Sequence, residues 1–435
     1  MPAWPPTTRV GRLRDVLQLR FTPLFSALPP ATLEPISPNN PGKRLAKVLG
    51  YAAVRLVGNM FKPFRNPEQL RGAVWLYVVS QNNYDSLRFI KEHRPDAVLL
   101  AGQAKQIGRY NGQVNRLSLR RKLLYYWQLP LVFFGLLQSE GRRAWRFFDL
   151  IFNAVGYYEV YCRALRHYRP RAVVFANDHN DDARALLLAC VAEGVPTAYV
   201  QHASVSTNFP PLGFDLSLLE GQDALDKYRH CGPVRGQTRL VGMPKADNFV
   251  RQRNEQPRVQ RVALATNTLD DTAGIEAAVT YLLTEFPDLS FTYRAHPSDL
   301  RRFEALRTRF PQLAFSDARQ ESVFEFLQRH DALVAADTST HLEATLLNLV
   351  SLYYRFGQHG VADDYYGYAA HGLVDRAFTL DELGQLLRRY VAHKPADHYQ
   401  RAAYYCATLG TPDEGRSQQL ALRELDAWLA TTAKA

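Results

Sequence analysis

The sequence predicts an α/β protein built from two doubly wound domains, with a cleft between the carboxyl ends of their sheets. Three observations predict it. The chain has 435 residues, enough for two domains with separate cores. From residue 72 onward, short apolar, β-branched runs alternate with helical patterns, as in parallel sheets wrapped by crossover helices. A polar stretch near the middle, Arg251-Gln252-Arg253-Asn254-Glu255-Gln256-Pro257-Arg258, separates two such series and reads as a linker.

Taken in order, residues 1–70 read as a basic, mostly helical extension. Arg9, Arg12, Arg14 and Arg20 alternate with leucines and Phe21, and Lys43, Arg44, Lys47, Arg55, Lys62 and Arg65 recur around the apolar stretch Val48–Met60. Such a segment can lie on anionic lipid or pack on the domain as a solvated helix face. The first α/β domain spans 71–247, with apolar runs at Ala73–Val79, Ala97–Ala101, Ala172–Ala176, Thr197–Val200, Leu216–Leu219 and Arg239–Val241. A helical insertion rich in arginine and aromatics occupies about 110–168, and helices follow over Asp182–Glu193 and Ala224–His230. Residues 248–258 form the expected linker. The second domain, 259–395, has strands expected at Arg261–Ala265, Leu289–Tyr293, Ala332–Ala336 and Ser351–Tyr354. Its helices are expected over Ile275–Glu285, Leu300–Phe310, Ser322–His330, Thr340–Asn348 and Leu380–Ala392. Residues 396–435, ending in a helix over Arg416–Ala430, read as C-terminal helices that pack back on the interface.

Composition excludes several classes. Hydrophobic residues make up 46% and charged residues 22%, against both disorder and a membrane bundle. No apolar run reaches the ~18 residues of a spanning helix. The start, Met1-Pro2-Ala3-Trp4-Pro5-Pro6, lacks the basic head and apolar core of a signal peptide, so a cytoplasmic protein is expected. Cys162, Cys190, Cys231 and Cys406 are scattered without metal-ligand spacing and read as reduced core thiols. Asn180-Asp181-Asp182, Asp270-Asp271 and Asp363-Asp364 read as solvated loops, so no metal is expected. A net charge of +11 calls for an anionic partner: a membrane surface, a nucleotide, an anionic polymer or nucleic acid. Nucleic acid is disfavoured, because zinc spacing, RNP-like motifs and aromatic-basic repeats are lacking. No Gly-x-Gly-x-x-Gly after a strand, Gly-Lys-Ser/Thr loop or Gly-x-Ser-x-Gly elbow occurs, which argues against dinucleotide enzymes, P-loop ATPases and α/β-hydrolases.

Four strand ends carry the chemistry. Asn177-Asp178-His179 follows a buried strand, and Asp178 stands where a carboxylate would meet the cleft, whereas Asp182 reads as an ordinary N-cap. Gln201-His202 ends the next strand, and an imidazole there can take a proton from an attacking hydroxyl. Arg294 and His296 emerge at period-two spacing, suited to phosphate oxygens, with Pro297 fixing the turn. Finally, Asp337-Thr338-Ser339-Thr340 opens a helix with Glu343 three residues after Thr340, as in a capping box, and its amides suit a phosphate.

At these residues the chain resembles the GT-B glycosyltransferases of bacterial surface polysaccharide assembly, the group holding CDP-glycerol glycerophosphotransferases, capsule Kdo transferases and bacterial sialyl- and polysialyltransferases. The likeness rests on Gln201-His202, Gly242-Met243-Pro244, Arg294-x-His296-Pro297 and Ser339-Thr340-x-x-Glu343-Ala344, and spans roughly 170–356. It implies two Rossmann-like domains and a metal-independent transferase without cofactor. The co-substrate would be a sugar or polyol phosphate on a cytidine or uridine nucleotide, and the acceptor a saccharide or lipid-linked glycan. The enzyme would be cytoplasmic or peripheral on the inner face of the plasma membrane. By the same likeness, His296 and Pro297 would hold the donor's phosphate and base, Ser339 and Thr340 its phosphate, and Glu343 a ribose hydroxyl. His202 would match a catalytic histidine usually followed by glycine, where Ala203 stands here, and Asp178 is the alternative base by position. By their position at the strand ends, Gln201, Asn177 and His179 would line the acceptor side or the cleft. A nucleotide-sugar 2-epimerase and a non-catalytic envelope-assembly scaffold are the alternatives.

Overall fold

A computed structural model describes residues 4–58, 67–102, 113–297, 299, 301, 303–357 and 363–432. The chain divides into two compact units, the first comprising Met1–Leu219, Ala224–Leu240 and Gln418–Ala435, the second Glu220–Asp223 and Val241–Ser417. Met60, Lys62, Arg65 and Leu300, part of the sequence expectations, lie outside the described residues.

Unit 1 is built on a seven-stranded parallel sheet of β1 (Val74–Tyr77), β2 (Ala97–Ala101), β3 (Asn115–Arg116), β4 (Ala172–Phe175), β5 (Thr197–Val200), β6 (Leu216–Leu219) and β7 (Gln237–Leu240), in the order β3-β2-β1-β4-β5-β6-β7. Its central strands read as unbroken apolar runs because both faces are covered, and every residue of β1, β4, β5 and β6 is buried. Trp75, Tyr77, Phe175 and Tyr199 fill the core. The chain starts at β1, moves outward to β3 and returns to β4 on the opposite side of β1. The order therefore reverses between β1 and β4, the place where doubly wound sheets open a crevice.

The described part of residues 1–70 is not an appendage. The helix Arg9–Val16 packs on the helices Asp181–Ala192 and Leu129–Glu140, and Leu13, Val16 and Leu17 join the same core. Arg184, 1% exposed, makes a two-pronged pair with Asp15 at 2.8 and 3.0 Å. The last helix, Ser417–Thr432, supplies Leu425, Trp428 and Leu429 as buried residues. It is tied to Arg239 through Glu424 at 3.0 Å and to Arg94 through Asp426, so its residues from Gln418 onward belong to unit 1.

Unit 2 has a six-stranded parallel sheet of β8 (Arg261–Thr266), β9 (Ser290–Ala295), β10 (Ala314–Ser316), β11 (Ala332–Ala335), β12 (Val350–Tyr354) and β13 (Asp375–Ala377). The order β10-β9-β8-β11-β12-β13 puts its reversal between β8 and β11. The expected linker 248–258 is instead part of this unit. Asn254 donates to Asp331 Oδ1 at 2.8 Å and to the His330 carbonyl at 2.9 Å, and buried Lys394 donates to its side chain and to the Asn348 carbonyl at 2.8 Å. The chain passes from unit 1 to unit 2 between Leu240 and Val241. Among the described residues no helix is long and apolar enough to cross a membrane.

Candidate functional site

In unit 2 the polar residues singled out from sequence gather at the switch point, but with altered roles. β9 runs through Ala295, two residues past the expected end, so Arg294 is a strand residue, 8% exposed. Its guanidinium donates to Ser316 Oγ at 2.8 Å and the Glu321 carbonyl at 3.0 Å and lies over the Phe326 ring. Arg294 thus ties β9 to β10 and the following turn, and its placement with a donor phosphate is set aside. His296 is exposed at the end of β9, held by its backbone N–H to the Thr266 carbonyl at 2.9 Å, and Pro297 beside it is exposed too.

Next to it, the end of β8 presents Asn267, unremarked in the sequence. Its side-chain amide donates to the Asp337 carbonyl at 3.2 Å across the switch point, and Arg301 grips its carbonyl at 2.8 Å. On the far side, β11 ends at Ala335 and the helix Thr340–Leu346 begins, with Ser339 as N-cap. The expected capping box is absent. Ser339 makes no side-chain cap bond, Thr340 Oγ1 shares a 3.0 Å bond with Thr338 Oγ1, and the Glu343 carboxylate pairs with Lys245. Asp337 accepts from Tyr353 Oη at 2.8 Å and the Tyr365 N–H at 2.7 Å, while His341 is fully buried between Ser351 Oγ and the Ala336 carbonyl, its pKa pushed down to about 4 by burial. Those two hold the loop. Ser339 and Thr340 remain half-exposed beyond the end of β11, which lies beside β8, followed by Asn267, and, one strand further, β9, followed by His296.

A second cluster in the same unit is invisible in the sequence. Glu220 immediately follows an apolar strand, and its backbone carbonyl accepts from the Ala407 N–H at 2.8 Å. Gly221 permits this docking, because a Cβ there would stand 2.3 Å from the Tyr405 backbone. Gly242, at φ +75° and pressed against Thr408 and Ser417, does the same for the turn that brings in Lys245. Burial pushes the Glu220 carboxyl up to about 8, Lys245 pulls it down, and Glu343 and Asp223 push it up further. Near neutrality the group therefore carries a proton. Only proximity in the fold reveals this set, since 220, 223, 245 and 343 share no motif.

In unit 1 the switch point is lined by Asn177, Asp178 and His179, following β4. Asn177 Oδ1 accepts from the N–H groups of His179 and Asn180 at 3.2 and 2.7 Å, so it shapes the turn. Asp178 is 2% exposed, with one oxygen on His179 Nδ1 at 2.8 Å and the other accepting from Tyr228 Oη at 2.6 Å. Burial alone would raise its pKa, but the His179 and Tyr228 bonds and the nearby His202 outweigh it and hold the carboxyl below its ordinary range. A buried, doubly bonded carboxylate orients its neighbour and is poorly placed as the base assigned to it. The more accessible member is His179, whose ring lies 6.4 Å from that of His202 and 4.6 Å from Phe209. Gln201, expected in the cleft, is buried and donates to the Ala203 carbonyl at 3.0 Å, closing the turn after β5. Asp182 is not the N-cap, which is Asn180; Tyr77 Oη lies 3.4 Å from its carboxylate.

No protein-family model matches the sequence, and no curated protein matches it either. Solved structures do. A provisionally assigned UDP-N-acetylglucosamine 2-epimerase from Listeria monocytogenes superposes with a TM-score of 0.54 at 12% identity, over 82% of this chain and 96% of that one. The S. aureus MnaA–UDP complex gives 0.52 at 11%, over 82% and 97%. The wall teichoic acid polymerase TagF, soaked with CDPG, gives 0.47 at 10%, over 98% and 100%. At such identities the first two likenesses speak for architecture alone, and the architecture is GT-B: two Rossmann-like units, each with its own switch point.

Proposed function

We propose that this protein is a GT-B transferase that moves a sugar, or a sugar-like polyol phosphate, from a cytidine or uridine nucleotide to a saccharide or lipid-linked acceptor in the building of a bacterial surface polysaccharide. The observation that carries the reading is the convergence at the switch point of unit 2, where Asn267, His296, Ser339 and Thr340 stand at neighbouring strand ends and the Ser339 hydroxyl is not used to cap its helix. Unit 2 would hold the donor, with Ser339, Thr340 and His296 on its phosphate and the Lys245–Glu343 pair beside the ribose. Unit 1 would handle the acceptor. His179, oriented by Asp178, or its neighbour His202 takes the proton from the acceptor hydroxyl as that oxygen bonds the donor, and the nucleotide leaves with the electron pair of the broken bond. Nothing in this chemistry requires a cofactor or a metal.

The test is calorimetric titration with CMP, CDP, UDP and GDP. One pyrimidine nucleotide is expected to bind, and the Ser339→Ala/Thr340→Ala double variant to lose about a hundredfold or more in affinity for two hydrogen bonds to charged oxygen. A chain that binds none of the four, or a double variant with unchanged affinity, defeats the assignment. The protonated Glu220 favours one second reading, a nucleotide-sugar 2-epimerase, since a carboxylic acid near the donor can supply a proton to a sugar carbon. Incubating donor without acceptor separates the two: an epimerase alters the donor, a transferase does not.

A further inference from the structure

The helical layer of unit 1 over residues 120–147 exposes more large apolar side chains than a solvated surface explains. Leu124, Trp127, Leu131 and Phe134 are 68%, 63%, 56% and 62% exposed. Their spacings of three, four and three residues put them in one row. The row runs from the turns Arg120–Gln128 straight into the helix Leu129–Glu140, because Gln128 and Leu129 both have helical backbone angles. Trp145, 65% exposed, stands beside it, its ring 6.0 Å from that of Phe133. The neighbouring helix Pro41–Gly58 also exposes leucines. It rests on the 120–128 turns and on the helix Phe148–Ala154, sends Arg44 and Lys47 inward to the Arg146 carbonyl and Asp149, and leaves Leu45 and Leu49 outward. A helix that turns Arg44 and Lys47 inward and leaves Leu45 and Leu49 in the open, with Lys43 the exposed cation beside them, is arranged for a neighbour both apolar and anionic.

Charge identifies that neighbour. Residues 120–147 carry six Lys or Arg against one acidic residue, Glu140, which Arg14 already neutralises. Arg9 lies over the Trp127 ring at 5.2 Å, and Arg121 and Arg142 are exposed with no acidic partner among the described residues. A second copy of this chain docking through the same face about a two-fold axis would bring these cations together, so the charge disfavours a homodimer. Tryptophans at the edge of an apolar row, with arginines around them, match the headgroup layer of an anionic bilayer.

We infer that this face of unit 1 docks on an anionic lipid surface, with Trp127, Phe134 and Trp145 in the headgroup region and Arg9, Arg121 and Arg142 on the lipid phosphates. Residues of the nucleotide and acceptor sites take no part, so the docking stands whether or not the proposed transfer reaction does.

The test is flotation of the full chain with vesicles of phosphatidylcholine alone and of phosphatidylcholine with phosphatidylglycerol. Binding is expected to the anionic vesicles only, with a blue shift of tryptophan fluorescence. The Trp127→Ala/Phe134→Ala/Trp145→Ala and Arg121→Glu/Arg142→Glu variants should each lose about tenfold or more, with unchanged melting temperature because the replaced side chains are exposed. The Ser339→Ala/Thr340→Ala chain should still float, which keeps this result apart from that of the nucleotide titration. Failure of the wild-type chain to float with anionic vesicles, or equal binding to neutral ones, overturns the inference. So does a dimer in light scattering that the aromatic substitutions dissociate, which would make the face a protein interface.

Discussion

Replacing Glu220 by glutamine removes a titration that the fold makes costly. The carboxyl is fully buried and its pKa is raised from 4.5 to about 8, with burial the main cause. A raised carboxyl pKa means that the folded state holds a proton which the unfolded chain releases above about 4.5. The stabilising contribution is present in full below that pH and is lost as pH rises towards 8. At 1.36 kcal/mol per pH unit, the shift corresponds to about 5 kcal/mol across that window, or roughly 10–20 °C in melting temperature for a unit the size of unit 2. Glutamine keeps the size and cannot titrate. Calorimetric or fluorescence melts of wild type and Glu220→Gln at half-unit steps from pH 5 to 8.5 should show the wild type losing stability relative to the variant as pH rises. Any constant offset reports only the changed hydrogen bonding. Parallel melting curves across the range would refute the reasoning, since Lys245 would then be holding Glu220 ionised throughout.

Further outcomes follow from the same geometry. His179→Ala should lower kcat by about 10²–10⁴-fold with little change in donor affinity, and Asp178→Asn, which spares the ring but not its anchor, should lower kcat while leaving KM unmoved. Steady-state kinetics checks both, and an Asp178→Asn enzyme of full activity removes the pair from the reaction. Arg294→Met should destabilise unit 2 by about 1–3 kcal/mol through the stranded Ser316 and Glu321 groups, read by urea melts, while nucleotide affinity in the folded variant stays the same.

The sheets were legible because their strands are buried on both faces. Ala97–Ala101, Thr197–Val200 and Leu216–Leu219 fall where the apolar runs put them. The edge strands Asn115–Arg116, Ala314–Ser316 and Asp375–Ala377 escaped, being only two or three residues long, too short for hydrophobic periodicity to register. The polar stretch 248–258 misled for a related reason: Asn254 is polar because it satisfies Asp331 and Lys394, not because it is solvated. At the site, sequence found the strand ends but not the division of labour on them. A two-residue extension of β9 turned Arg294 inward, and a second partner, Tyr228, fifty residues away, turned Asp178 from base to anchor. Glu220 gave no signal at all, since its environment is assembled from Asp223, Lys245 and Glu343.

The return of residues 418–435 to unit 1 bears on the order in which the molecule is made. During synthesis the first unit is begun first yet lacks its closing helix, with Trp428 and Leu425, until after unit 2 has been translated in full. Unit 2 needs only the contiguous run from Val241 to Ser417 and the short piece Glu220–Asp223 that precedes it. Unit 1 can therefore close only after the whole of unit 2 has been made, and the apolar surface that Leu425, Trp428 and Leu429 cover stays open until then.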